Sequence, residues 1–140
     1  MHEGDEMGIR TMLLAGILGL AALASPSPAS AHHSAVAEFD LNSPLTLKGT
    51  LTKLEWVNPH AFIYLTVRSG DGKTEDWRVE AGSPLRMEKR GLKRDYFRPG
   101  TEVIIGGFRA RDGSQTLAGW VIDFPDRAKA GQESSFALGR

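Results

Sequence analysis

The sequence predicts an all-β fold with one short helix, a five-stranded OB-like barrel in the order strand-strand-strand-helix-strand-strand. Three observations lead there. Five segments alternate apolar and polar residues and are rich in β-branched and aromatic side chains, two of the connections carry Gly-Asp or Asp-Gly turn signals, and a helix start falls between the third and fourth segments. An immunoglobulin-like sandwich needs about seven strands and leaves that helix without a place.

The first strand is centred on residues 45–51, where Leu45, Leu47 and Leu51 share one face. The apolar parity then shifts to Leu54 and Trp56, which predicts a bulge near Thr52-Lys53 of the kind a closing sheet needs. Asn58-Pro59 turns the chain into a second strand over residues 61–67, and Ser69-Gly70-Asp71-Gly72 is a hairpin signal leading to a third over 76–80. Ser83-Pro84 starts the helix, with Ser83 at the N-cap and Pro84 at the first helical position, and Gly91 closes it. Arg98-Pro99-Gly100 is a turn, residues 101–108 a fourth strand with a bend at Gly106-Gly107, Arg111-Asp112-Gly113-Ser114 a second hairpin turn, and 116–124 a fifth strand. This pattern places Leu47, Leu51, Ile63, Leu65, Val79, Val103, Ile105 and Val121 inside.

The chain has 140 residues, with 17 Lys and Arg against 17 Asp and Glu and no Cys. That length suits one small domain with appendages. The missing Cys excludes disulfides, thiolate metal sites and a thiol nucleophile, and the balanced charge speaks against a nucleic-acid partner. Residues 12–24 form an apolar run flanked by Arg10 and the small-residue stretch Ala29-Ser30-Ala31. The run is shorter than the roughly 20 residues a membrane-spanning helix requires, so it reads as a signal peptide. The domain reading is a signal peptide over 1–31, an N-terminal arm over 32–43, the OB-like barrel over 44–125 and a flexible tail over 126–140, with a periplasmic or secreted destination and no transmembrane segment in the mature chain. The acidic residues Glu3, Asp5 and Glu6 do not suit a signal peptide's start, which leaves Met1 and Met7 both open as the translation start.

The stretch His32-His33-Ser34, then Glu38-Phe39-Asp40, then the run from Gly49 through Trp56-Val57-Asn58-Pro59-His60, and finally Glu80-Ala81-Gly82-Ser83-Pro84, resembles a family of small exported bacterial proteins of unknown function. The Trp56-x-Asn58-Pro59-His60 element is its most distinctive part. The resemblance implies location and fold and carries no catalytic residue with it.

Chemistry is therefore read from the residues themselves. Cleavage after Ala31 gives His32 a free α-amine, and amine plus imidazole chelate one metal; a third nitrogen from His33 or His60 makes a nitrogen-rich set suited to Cu(II), similar to the histidine brace of some exported copper proteins. Copper is accordingly the cofactor expected, against the plainer reading that His32 and His33 belong to a loose arm and His60 to a turn. Strand alternation sends Phe62, Tyr64, Arg78 and Glu80 outward onto one platform, bordered by Trp56 and Asn58 in the first loop, which reads either as a surface covered by the N-terminal arm or the helix or as an open platform for a small ligand. Arg86, Lys89, Arg90, Lys93, Arg94 and Arg98 form a basic cluster, read either as a solvated helix face or as a surface for anionic lipid or another polyanion. No nucleophile elbow or phosphate loop is present, so no enzyme is expected. The reading is an exported OB-like binding module with a Cu(II)-type metal site; the alternative is a protein-interaction or envelope adaptor domain without a metal.

Overall fold

The architecture comes from a computed structural model, which describes residues 35–139. Residues 1–34, which include the stretch expected to be a signal peptide and both His32 and His33, lie outside the described residues. A single helical turn at Ala35–Glu38 leads into β1 (Phe39–Glu55), followed by β2 (Phe62–Arg68), β3 (Thr74–Glu80), α1 (Pro84–Lys89), a 3-10 turn (Arg94–Tyr96), β4 (Glu102–Ala110), β5 (Thr116–Asp123), α2 (Pro125–Lys129) and β6 (Ser135–Ala137). The strands make one six-stranded sheet in the order β3-β2-β1-β4-β5-β6, each antiparallel to its neighbours. An additional parallel pairing joins β3 to β5 through Arg78–Thr116, Val79–Leu117 and Glu80–Ala118.

This corrects the expected fold. A six-stranded sheet with two short α-helices replaces the five-stranded OB-like barrel with one helix, and the chain forms a small mixed α/β domain. The difference comes from the C-terminal segment, which was expected to be loose. It holds α2 and β6, and Phe136 and Leu138 are buried in the core. Gly82 N–H donates to the Leu138 carbonyl and Leu138 N–H to the Trp120 carbonyl, so the backbone of this segment is paired on both sides. The arm is shorter than expected too, because β1 already begins at Phe39, whose ring is buried.

The 17 residues of β1 serve two neighbours in succession. Its first part pairs with β4 as far as Thr50–Glu102, and its last part, from Gly49–Val67 onward, pairs with β2. The register with β2 slips between Leu51 and Lys53, which is the bulge that the parity change predicts. A second slip, between Gly106 and Gly107 against β5, moves the inward position of β5 from Val121 to Ile122. Ile122 is fully buried and Val121 only half-buried, so the core list is corrected there, while Leu47, Leu51, Ile63, Leu65, Val79, Val103 and Ile105 are all buried.

α1 starts at Pro84 with Ser83 in extended conformation at the N-cap; the Ser83 hydroxyl makes no capping bond, and its carbonyl accepts from the Arg86 and Met87 N–H groups. The helix ends where Gly91 adopts a φ of 86°. Gly91 N–H donates to the Glu88 carbonyl and Leu92 N–H to the Met87 carbonyl, a Schellman closure that sends Leu92 into the core. α1 and the 3-10 turn thereby pack Met87, Leu92 and Phe97 under the sheet.

Candidate functional site

The outward face of β1, β2 and β3 carries two rows of side chains that cross the strands. Lys53 pairs with Tyr64, and Tyr64 with Arg78; one step along, Glu55 pairs with Phe62, and Phe62 with Glu80. An aromatic ring on β2 is thus flanked by two cations in one row and by two carboxylates in the next. The period-2 alternation of β2 and β3 sets this, since Ile63, Leu65, Trp77 and Val79 take the buried side. The bulge brings Lys53 to the same face.

The rows are tied together. Lys53 Nζ lies 2.6 Å from Glu55 Oε1 and 5.1 Å from the centre of the Tyr64 ring, and the Tyr64 hydroxyl donates to Glu55 Oε2 at 3.1 Å. The Lys53 hydrogen bond holds the Glu55 carboxyl below its usual range, and the same bond holds the Lys53 ammonium above its own. Burial, followed by the bond to Glu55, pushes the Tyr64 phenol up. At neutral pH the site therefore presents a carboxylate, an ammonium and a protonated phenol. The Arg78 guanidinium lies 5.2 Å over the Phe62 ring and has no carboxylate within ion-pair distance among the described residues. An open groove of about 600 Å³ runs across this face, lined by Thr52, Lys53, Tyr64, Thr66, Asp76, Arg78 and Gln115 together with parts of Leu65 and Trp77.

The loop from β1 to β2 is held from within. Trp56 Nε1 donates to Glu88 Oε1 of α1 at 3.1 Å, and its ring lies 5.6 Å from that of Phe97. His60 Nδ1 lies 2.7 Å from Glu80 Oε1, and the Glu80 carboxylate is largely buried. The Ala61 N–H donates to the Gly82 carbonyl, and the Ala81 N–H to the Ala61 carbonyl, which fastens the loop to the end of β3. Asn58 is exposed and joined to Pro59 by a cis bond. Trp56, His60 and Glu80 therefore tie loop, helix and strand together.

Residues 20–119 match the profile of a family of unknown function, DUF6152. The chain belongs to this family. The match runs from within the apolar run to the middle of β5, and α2 and β6 lie beyond it. No curated protein and no solved structure matches the chain.

For this DUF6152 member the metal reading is corrected. Among the described residues no group of three or more His, Asp or Glu side chains is placed to hold a metal ion. His60, the anchor expected on the folded domain, faces Glu80 alone among such groups, while His32 and His33 lie outside the described residues. The OB-like Cu(II)-binding module is therefore not the function of the described domain. Of the expected ligand residues, the structure brings Phe62, Tyr64, Arg78 and Glu80 to one face, with Glu80 drawn aside by His60; Trp56 faces α1 and Phe97, and Asn58 stands apart in the loop. Lys53, Thr66, Asp76 and Gln115 were not anticipated as groove residues. The parity change at Thr52 was the available signal for Lys53. Gln115 comes from the β4–β5 hairpin, and only the β3–β5 pairing brings it here: its carbonyl accepts from the Arg78 N–H. Among the described residues no helix is long and apolar enough to cross a membrane.

Proposed function

We propose that the domain binds a small organic anion in the groove over Tyr64, and that it does so as a non-enzymatic, exported protein. The observation that carries this reading is Arg78. Its guanidinium is steadied on the Phe62 ring at the side of a groove of about 600 Å³ and, among the described residues, has no carboxylate within ion-pair distance, whereas Lys53 in the same groove is matched by Glu55. A carboxylate, sulfate or phosphate ester group completes that arrangement with paired charge-assisted hydrogen bonds. The ligand's apolar portion lies beside Tyr64, with Gln115 next to Arg78 and Thr66 and Asp76 one step along the strands as polar neighbours. Export is supported by the apolar run over 12–24 and the Ala29-Ser30-Ala31 stretch after it.

Titrating the protein with a panel of aromatic and aliphatic carboxylates, sulfates and phosphate esters, followed by amide and side-chain NMR shifts, tests the site. A binding anion moves the Tyr64 and Arg78 signals, and Arg78→Ala weakens it by about tenfold to a hundredfold, the loss expected for a hydrogen-bonded charge. Arg78→Lys restores only part of that affinity, because the ammonium lacks the planar fork. If no anion moves these signals, or if Arg78→Ala binds as the parent does, the reading fails. Export is checked by the mass of the chain recovered outside the cytoplasm, expected to begin at His32.

A further inference from the structure

α1, the 3-10 turn and the loops around them carry six cations, Arg86, Lys89, Arg90, Lys93, Arg94 and Arg98, all exposed. None has a carboxylate within ion-pair distance among the described residues. Elsewhere on the described surface Lys48, Lys53, Lys73, Arg111 and Lys129 each face a carboxylate, while Arg68, Arg78, Arg109 and Arg127 are scattered cations without one; what sets this segment apart is that all six stand between residues 86 and 98. The segment holds two acidic residues against the six, Glu88, which accepts from the Trp56 indole, and Asp95, next to Arg94, so positive charge stays in excess. The patch is thus a concentration of positive charge that the fold does not neutralise internally.

Large apolar side chains stand in the same place. Leu85 is 60% exposed and Val57 50%, two of the four exposed large hydrophobics of the described residues. Leu85 lies about one helical turn before Glu88 and Lys89 on α1. Glu88 in turn holds Trp56, the residue before Val57, so the loop bearing Val57 is fastened to the helix bearing Leu85. A second groove, of about 440 Å³, lies beside the patch and is lined by Arg94 and Arg98 together with Asp95, Phe97 and Lys53, the last already matched by Glu55.

We propose that this end of the molecule docks on an anionic lipid bilayer surface. The cations meet the phosphate and glycerol headgroups, and Leu85 and Val57 enter the boundary between headgroups and acyl chains. It is the pairing of the two features that identifies the partner. A soluble polyanion rewards the cations but leaves Leu85 and Val57 in water, whereas an anionic bilayer satisfies both. Thr52 and Lys53 line both grooves, but Arg78 and Tyr64 are not part of the patch, so Arg78 is the residue that tells the two sites apart.

The test uses the full chain with vesicles of phosphatidylcholine alone and of phosphatidylcholine mixed with phosphatidylglycerol, read by co-sedimentation. The leader's apolar run is common to every variant and to both lipids, so the differences report on the patch. The expected result is a partition coefficient at least about tenfold higher on the anionic vesicles, collapsing near 1 M salt, where the screening length is about 3 Å. Replacing Lys89, Lys93 and Arg94 together by Gln lowers the anionic binding by about a hundredfold, at about fivefold per cation. Leu85→Ser with Val57→Ser lowers it about tenfold with the charge unchanged. Replacing the paired cations Lys48, Lys73 and Lys129 by Gln leaves it within about twofold, and Arg78→Ala leaves it unchanged. All these sites are exposed, and circular dichroism confirms that each variant keeps the parent fold. Equal binding to both vesicle types overturns the proposal, as does an equal loss from the paired-cation control. An unchanged affinity in the Leu85 and Val57 variant overturns it in favour of a polyanion, which a heparin titration of the parent then reads directly. Loss of vesicle binding with intact anion binding at Arg78, or the reverse, separates the failure of this proposal from failure of the groove reading.

Discussion

Lys53 reaches Tyr64 because one extra residue sits in β1. Before the bulge Leu51 faces Leu65 in the core, and after it Leu54 faces Ile63 there, which leaves Lys53 outward opposite Tyr64. The alternation of β2 and β3 is similarly direct: Phe62, Tyr64 and Arg78 share a face because their neighbours Ile63, Leu65, Trp77 and Val79 are apolar and buried. Asp71, in the β2–β3 hairpin, shows how a single exposed residue acts on stability. It accepts from the Ser69 hydroxyl and from Lys73 N–H, faces the Lys73 ammonium at 2.9 Å, and these hold its carboxyl down to about 2 from 3.8. Because the folded value is depressed, the stabilisation is fully present above pH 3.8 and is lost as the pH falls through about 2. Asp71→Asn is therefore less stable than the parent at neutral pH, and unfolding midpoints followed against pH converge as the pH drops through that window. A constant gap down to pH near 1 contradicts the assignment.

At the scale of elements, the five long strands were legible because each shows several cycles of alternation between turn residues. α2 and β6 were not. Five residues of helix and three of strand contain too little period to distinguish them from polar loop. The only hint was Phe136 and Leu138, two apolar residues at strand spacing among small and polar ones. Val121 was misplaced for a related reason: alternation shows which residues share a face but not where a partner strand slips. The tight joint between β5, β3 and the C-terminal segment is at Gly119, where an added Cβ stands 2.6 Å from Val79 Cγ1 and 2.7 Å from Leu138 Cδ1. Gly119→Ala is expected to cost about 1–3 kcal/mol through overpacking. Gly70→Ala, in the exposed hairpin with nothing within 4 Å, is expected to leave stability unchanged or raise it by a few tenths of a kcal/mol. Urea unfolding of the two variants side by side reads the contrast, and equal midpoints refute the joint.

The molecule as a whole is closed by contacts far apart in sequence. The Gly82 N–H donates to the Leu138 carbonyl, Phe124 and Phe136 pack edge to face with centroids 6.1 Å apart, and Tyr96 of the 3-10 turn lies against both rings. Phe136 and Leu138, close to the end of the chain, therefore belong to the core. Leu138→Ala is expected to destabilise by about 2–5 kcal/mol, a large share of the 5–15 kcal/mol typical of a domain. A chain ended after Pro125 is expected to lose its cooperative thermal transition; a normal transition in that truncation places the segment outside the core.

By itself the sequence determined the five long strands, the first helix with its glycine closure, the bulge in β1 and the outward face that bears Phe62, Tyr64 and Arg78. All of these follow from forces acting within a few residues: side-chain alternation, turn chemistry and helix capping. Only the tertiary structure decided that the tail supplies a sixth strand, that β3 and β5 run parallel and bring Gln115 to the groove, and that His60 faces Glu80. Those outcomes depend on which segments meet across the sheet. Such meetings are selected by the burial of side chains such as Phe136 and Leu138 and by backbone pairing between residues dozens of positions apart, and neither leaves a period in the local sequence.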